Sequence, residues 1–262
     1  MPSGDQKSER QQNNIIMKAF YTALLALFLL TSCMKQEVLV LTERGGQHES
    51  FAAAGLEWLK ETGKEMGFTV TEINSTEPID KEYLDRFDLI IQLDFPPYTW
   101  TDKAAEAFIS YIEEGKGGWI GFHHATLLGE FDGYPMWEWF SDFMGGIRYQ
   151  NYNATLTDGD VYVEDSTHPV MQRVEPRFPL QDEEWYIYDR SPRGNVKVLA
   201  SADESTYYPP TEIKMGDHPV VWVNEDVKAK NVYFQFGHGE ILYKDDNFLT
   251  MFRNAIRWTL IK

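Results

Sequence analysis

The chain has 262 residues and a formal net charge of −17, and it is 43% hydrophobic and 15% aromatic. That apolar content is enough for a sizeable core and excludes an intrinsically disordered chain. The acidity argues against a nucleic-acid partner, which needs clustered Lys and Arg to meet phosphate, and is read as solubility.

The chain opens on what reads as a leader. Residues 1–16 are polar, Met17-Lys18 begins a short positive region, and Ala19 to Leu30 is an apolar run followed by Thr31-Ser32-Cys33. The run is too short for a comfortable membrane span and has the order of a secretory signal peptide. Small residues just before a cysteine match the bacterial lipoprotein signal, in which Cys33 would be lipidated. Cys33 is the only cysteine, so it has no disulfide partner and the mature chain keeps no thiol nucleophile. The expected layout is a leader and lipoprotein signal over 1–33 and one domain over 34–262. The expected location is the periplasm or cell surface, with membrane contact through the lipid alone. The alternative is a cytosolic protein with a buried N-terminal helix.

From Glu37 the elements alternate. Glu37 to Thr42 is a compact apolar run that predicts a first parallel strand. His48-Glu49-Ser50 precedes a helical pattern from Phe51 to Met66, with Ser50 as N-cap and Gly67 as the stop. Phe68 to Ile73 predicts strand two, Tyr83 to Phe87 the close of a short helix, and Leu89 to Leu93 strand three. Pro96-Pro97 then bars regular structure. Thr101 to Glu114 is amphipathic, capped by Thr101 or Asp102 and ended by Gly115. Gly118 to Phe122 is strand four, and it runs into His123-His124. This β-α rhythm predicts a doubly wound, mostly parallel α/β sheet.

After His124 the rhythm changes. Residues 126–150, with Trp137, Trp139, Phe140 and Phe143, predict a helical excursion. Short strands are expected at Ala154–Thr157, Val161–Glu164, Trp185–Tyr188, Val196–Ala200 and Val220–Val223. Asn231 to Phe236 reads as a final central strand that runs into Gly237-His238-Gly239, and Asn247 to Leu260 as a closing helix.

Histidines follow predicted strands at three places: His48, His123 with His124, and His238. The carboxyl ends of parallel strands share one edge, where such sheets bind ligands. Glu183-Glu184 stands just before Trp185. Histidine with carboxylate is a common ligand set for zinc or a similar divalent metal, and equally an acid/base set. The candidate metal ligands are His48, His123 and His238. No compact zinc motif is present. His48 could instead cap its helix, and His123 and His124 would point to opposite faces of a continuing strand. His168 and His218 precede prolines and read as turn residues. A carboxylate among aromatics could have a raised pKa and act as an acid. Tyr98 and Trp100, in the Pro-rich loop after strand three, are candidates for stacking on a ligand. There is no phosphate loop, dinucleotide fingerprint or nucleophile elbow, which argues against a nucleotide cofactor or a serine hydrolase.

The ordered segments VLVLTERGGQHES (38–50), FDLIIQLD (87–94), GGWIGFHHA (117–125), EEWYIYD (183–189), HPVVWVNE (218–225) and NVYFQFGHGEILYKDDNFLTMFRNAIRW (231–258) resemble the trehalose-utilisation, or ThuA-like, proteins. The resemblance covers most of the mature chain. It implies a flavodoxin-like sheet related to class I glutamine amidotransferases. The place of the amidotransferase cysteine is held by His123, so amidotransferase chemistry is not expected. Residue by residue it marks His48, His123, Glu184 of the 183–184 pair, and His238; His124 often stands as a small residue in relatives.

The resemblance also implies a small sugar as substrate, a disaccharide or keto-sugar. The expected chemistry is acid/base or metal-assisted elimination, hydration or hydrolysis. His123, Glu184, His48 and His238 would be catalytic, and Tyr98, Trp100 and His124 would bind substrate. The competing expectation is a non-catalytic glycan-binding lipoprotein.

Overall fold

A computed structural model describes residues 35–129 and 133–261, and the compact unit is Gln36–Lys262. The proposed signal peptide and Cys33 lie outside the described residues. Among the described residues no helix is long and apolar enough to cross a membrane.

The first half follows the β-α rhythm. Strand β1 (Gln36–Thr42) leads to helix α1 (Glu49–Met66), β2 (Phe68–Ile73), the short α2 (Lys81–Leu84), β3 (Leu89–Leu93), α3 (Asp102–Glu114) and β4 (Gly118–Phe122). Helix α3 starts where Thr101 Oγ1 accepts the Ala104 N–H at 3.3 Å, and it ends at Gly115 in the left-handed conformation. Helix α1 begins before the expected Ser50. His48 stands at the N-cap position without capping through its side chain, and its imidazole is turned elsewhere.

The second half adds α4 (Glu138–Phe143), β5 (Tyr149–Tyr152), β6 (Thr157–Val163), β7 (Arg177–Glu183), β8 (Tyr186–Tyr188), β9 (Lys197–Tyr208), β10 (Pro219–Val223), β11 (Asn231–Phe234) and α5 (Asp246–Leu260). The described strands form a nine-stranded sheet in the order β2-β1-β3-β4-β11-β10-β9-β6-β7, and β5 pairs with β8 separately. Strands β2, β1, β3, β4 and β11 are parallel, in the flavodoxin-like order. From β11 outward every pairing is antiparallel. Of the extra β segments, β6, β7, β9 and β10 therefore extend the same sheet.

Each central strand feeds both faces, as a period of two requires. Val38, Val40, Ile91 and Ile120 pack with Phe51, Leu59, Met251 and Phe252 of α1 and α5. Leu39, Leu41, Ile90 and Trp119 pack with Phe108, Tyr111, Phe140 and Phe143 of α3 and α4. The aromatic excursion 137–143 is thus core.

Two strands depart from expectation. Strand β7 was not foreseen, because Pro179 interrupts it. Phe178 and Leu180 nevertheless bury one face, and Pro179 is tolerated because β7 is an edge strand. Strand β9 runs well beyond Ala200, its polar end held by pairing with β6. Ala154 to Leu156, expected in a strand, are loop; β6 starts at Thr157 and continues through Val161–Val163 of the next expected piece, with a register shift between Thr157 and Gly159.

Candidate functional site

The chain crosses the sheet between β1 and β3, and the carboxyl ends of the parallel strands there frame a crevice. Each end delivers a polar side chain. His48 arrives from the loop after β1, Asp94 follows β3, His123 and His124 follow β4, and His238 follows β11. Glu183 and Glu184 come back over this edge between β7 and β8.

The expectation that His123 and His124 would face opposite ways rested on a continuing strand. The strand stops at Phe122, and His123 takes a φ of 40° that starts a single 3-10 turn. The turn directs both imidazoles to the crevice, with near-parallel rings whose centroids are 5.6 Å apart. Asp94 also has a positive φ, of 50°. Such non-glycine conformations cost about 1–3 kcal/mol each and persist where the surroundings enforce them. The close packing leaves no room at Gly237, where a Cβ would lie 2.9 Å from His123 Cβ and 3.2 Å from Asp94 Oδ1.

His48, His123, Glu184 and His238 converge, each offering a ligand atom within 4.8 Å of the others. Glu184 Oε2 lies 3.1 Å from His123 Nε2, 3.4 Å from His48 Nε2 and 3.8 Å from His238 Nδ1. His48 Nε2 and His238 Nδ1 are 3.0 Å apart. Burial pushes the His123 pKa down to about 3 and lowers that of His48, so both are neutral near pH 7. Burial alone would raise Glu184, but its contacts with His123, His238 and His48 outweigh that and hold it below the usual carboxylate range.

The hydrogen bonds of His123 constrain where its ring proton lies. Its Nδ1–H donates to the Gln235 carbonyl at 2.7 Å. A neutral imidazole has one ring proton, so its bare Nε2 then faces an ionised carboxylate oxygen. Two lone pairs at that distance repel unless a proton or a cation lies between them. A shared proton would relieve this one pair only. A divalent cation would satisfy all four groups, and a ligating histidine ordinarily gives its other N–H to a carbonyl, as His123 does. The donor set thus fits zinc or a similar cation.

Other groups surround the cluster, and two of them, Asp94 and Glu43, were not singled out from sequence. Burial raises Glu183 to about 8, so the protonated carboxyl is Glu183 and the ionised one is Glu184. Glu183 Oε2 accepts the Gly237 N–H at 3.3 Å, and its Oε1 has no partner. Asp94 is fully buried, neither oxygen has a hydrogen-bond partner, and burial followed by repulsion from Glu43 and Glu183 raises its pKa well above normal. His124 Nδ1 meets Glu43 Oε2 at 2.6 Å. The Tyr186 ring stacks on His123 at 4.0 Å. The only signal for Asp94 and Glu43 was their place after predicted strands.

The open side of the crevice is lined by Glu43, Gly46, Gln47, His48, His124, Leu127, Tyr149, Tyr152, Glu184 and Tyr186. Tyr98 and Trp100 are elsewhere. They line a separate depression with Met136 and Trp137, where Tyr98 stacks on Tyr134 and Trp100 packs against Phe108. His168 accepts the Val170 N–H in a turn, and His218 holds the Tyr186 carbonyl at 3.1 Å from behind the site.

A flavodoxin-like α/β sheet with a histidine-rich crevice, and no nucleophilic cysteine among the residues that form it, defines the class. The chain belongs to the ThuA family, described as trehalose utilisation, whose model matches residues 37–259. A ThuA-like protein from Bacteroides uniformis has a similar structure, with 28% identity and a TM-score of 0.76, over 86% of this chain and 91% of that one. A ThuA-like protein from Parabacteroides merdae is similar in fold, at 14% identity and a TM-score of 0.62, over 86% and 90% of the two chains. A β-galactosidase from Bacillus circulans sp. alkalophilus contains a similar fold in 30% of its length, matched over 86% of this chain at 11% identity and a TM-score of 0.54. Comparison with curated proteins returns no match. The family places the chain in carbohydrate metabolism.

Proposed function

We propose that this protein is an enzyme acting on a disaccharide or an oxidised (keto) sugar by metal-assisted elimination, hydration or hydrolysis. The observation that carries the reading is the convergence of His48, His123, Glu184 and His238, each with a ligand atom within 4.8 Å of the others. His48, His123, Glu184 and His238 would hold the ion. When bound, a divalent cation supplies Lewis acidity toward a sugar oxygen and acidifies a coordinated water.

The chain's own residues set the rest. His48 and His123, lowered by burial, are neutral near pH 7 and Glu184 is ionised, the protonation states that ligation requires. An ionised Glu184 is suited to accept a proton rather than to act as the acid. The Gln235 carbonyl and the Tyr186 ring hold His123 in one orientation. Tyr149, Tyr152 and Tyr186 offer aromatic surface on which a sugar ring can stack, and Leu127 adds apolar wall. We further propose that the protein works at the periplasmic or outer surface, anchored by lipid on Cys33. The n-region, apolar run and small residues before that cysteine support this.

The test is the metal content of the full chain and of its Glu184→Gln and His123→Ala variants, with turnover measured on a panel of keto-sugars and glycosides. Stoichiometric metal in the wild type, lost from both variants together with turnover, is the expected result. A metal-free wild type after reconstitution, inactive on the whole panel, would sink the reading. Anchoring is checked separately: Cys33→Ser should release the protein from the membrane fraction.

A further inference from the structure

Beside the inner set lies a second one at the mouth of the crevice. Glu43 and His124 are in direct contact at 2.6 Å, and the His48 ring stands edge-on to His124 with centroids 4.1 Å apart. Glu43, His48 and His124 each offer a ligand atom within 4.8 Å of the others. Two ligands of one zinc-like ion, each at about 2.0–2.2 Å, are at most about 4.4 Å apart. The outer set therefore needs only small side-chain adjustments to close on an ion.

A further observation points the same way. His48 is 5% exposed, its Nε2 is engaged with Glu184 and His238, and its Nδ1 is buried with no hydrogen-bond partner. The inner set leaves that nitrogen unused.

We propose that Glu43, His48 and His124 form a second divalent-cation site, so that the crevice holds a pair of ions bridged by His48 as an imidazolate, its ring proton released to solvent when the second ion binds. The inference rests on the metal reading of the inner set given above. The outer set is the more open, with side-chain exposures of 14% for His124 and 30% for Glu43. It has three protein ligands, which leaves positions for water or a sugar hydroxyl. Two adjacent ions can bind two oxygens of one substrate, such as a carbonyl and its neighbouring hydroxyl.

The test strips the full-length protein with a chelator, reloads it with Co(II), and reads bound cobalt per chain together with the visible absorption. The wild type should take two ions. Glu43→Gln and His124→Asn should each take one and keep the absorption of the inner ion, which also shows that they are folded. A wild type that binds one ion, retained by both outer variants and lost in Glu184→Gln, overturns the second site and leaves the proposed function standing. A folded outer variant that binds none overturns the division into two sites. A wild type that binds none overturns both readings.

Discussion

Gln235 works twice in the crevice. Its main-chain carbonyl takes the His123 proton, while its side chain accepts the Tyr186 N–H at 3.3 Å and donates to the Tyr186 carbonyl at 3.1 Å. His218 Nε2 closes the group, 3.1 Å from Gln235 Oε1. Gln235→Ala keeps the carbonyl but frees the Tyr186 backbone, and with it the ring stacked on His123. Loss of such a supporting partner typically weakens metal binding about 10–100-fold, measurable by competition with a chelating dye; unchanged affinity would show that Tyr186 is held by other contacts. Protonation at the site also makes stability depend on pH. The unfolded chain protonates His123 near 6.5, but the folded chain does so only at about 3, so this contribution is lost as pH falls through that window. Glu183 acts in the opposite sense. Its folded pKa of about 8 exceeds the ordinary 4.5, so its contribution is full below 4.5 and lost as pH rises through 8. Urea unfolding of the metal-free protein should therefore weaken between pH 6.5 and 8, and Glu183→Gln should remove that decline.

Strand ends and their turns carry the site, while the faces of the same elements carry the core. Phe108 on α3 lies against Trp100, Trp119, Trp137, Phe140 and Phe143. Phe108→Ala should cost about 3–5 kcal/mol, because rigid ring neighbours collapse poorly into the space; chemical denaturation measures it. The parallel strands were legible because each is a short apolar run punctuated by Gly, Pro or a cap. Helix α3 was legible from Thr101 and Gly115. The turn at His123 was not, because nothing in Phe122-His123-His124-Ala125 marks a positive φ at histidine. Strand β7 was hidden by Pro179, whose acceptability depends on a neighbour missing from one side.

The candidate metal ligands come from loops after β1, β4 and β11 and from the return between β7 and β8, so an ion would tie residues far apart in the chain. Ligand binding only to the folded state adds stability of about 2.7 kcal/mol at a hundredfold excess over Kd. Addition of zinc to the stripped protein should raise the melting temperature, and EDTA should reverse it. A Glu184→Gln protein should show neither change. If the wild type melts at one temperature throughout, no cation is coupled to folding.

The sequence by itself determined the parallel half of the sheet, the helices that cover it, the family, and four residues that meet: His48, His123, Glu184 and His238. Local apolar periodicity and strand-end position are short-range properties, and they survive in a linear reading. Tertiary structure alone decided that β6, β7, β9 and β10 continue the same sheet. It turned His124 into the crevice beside Glu43, and it set Tyr98 and Trp100 apart from the histidines. It also made Glu184 the ionised carboxyl and Glu183 the protonated one. These adjacent glutamates are alike in sequence. Their difference comes from the balance at each: burial outweighs the backbone N–H groups that Glu183 meets, whereas contacts with the imidazoles outweigh burial at Glu184.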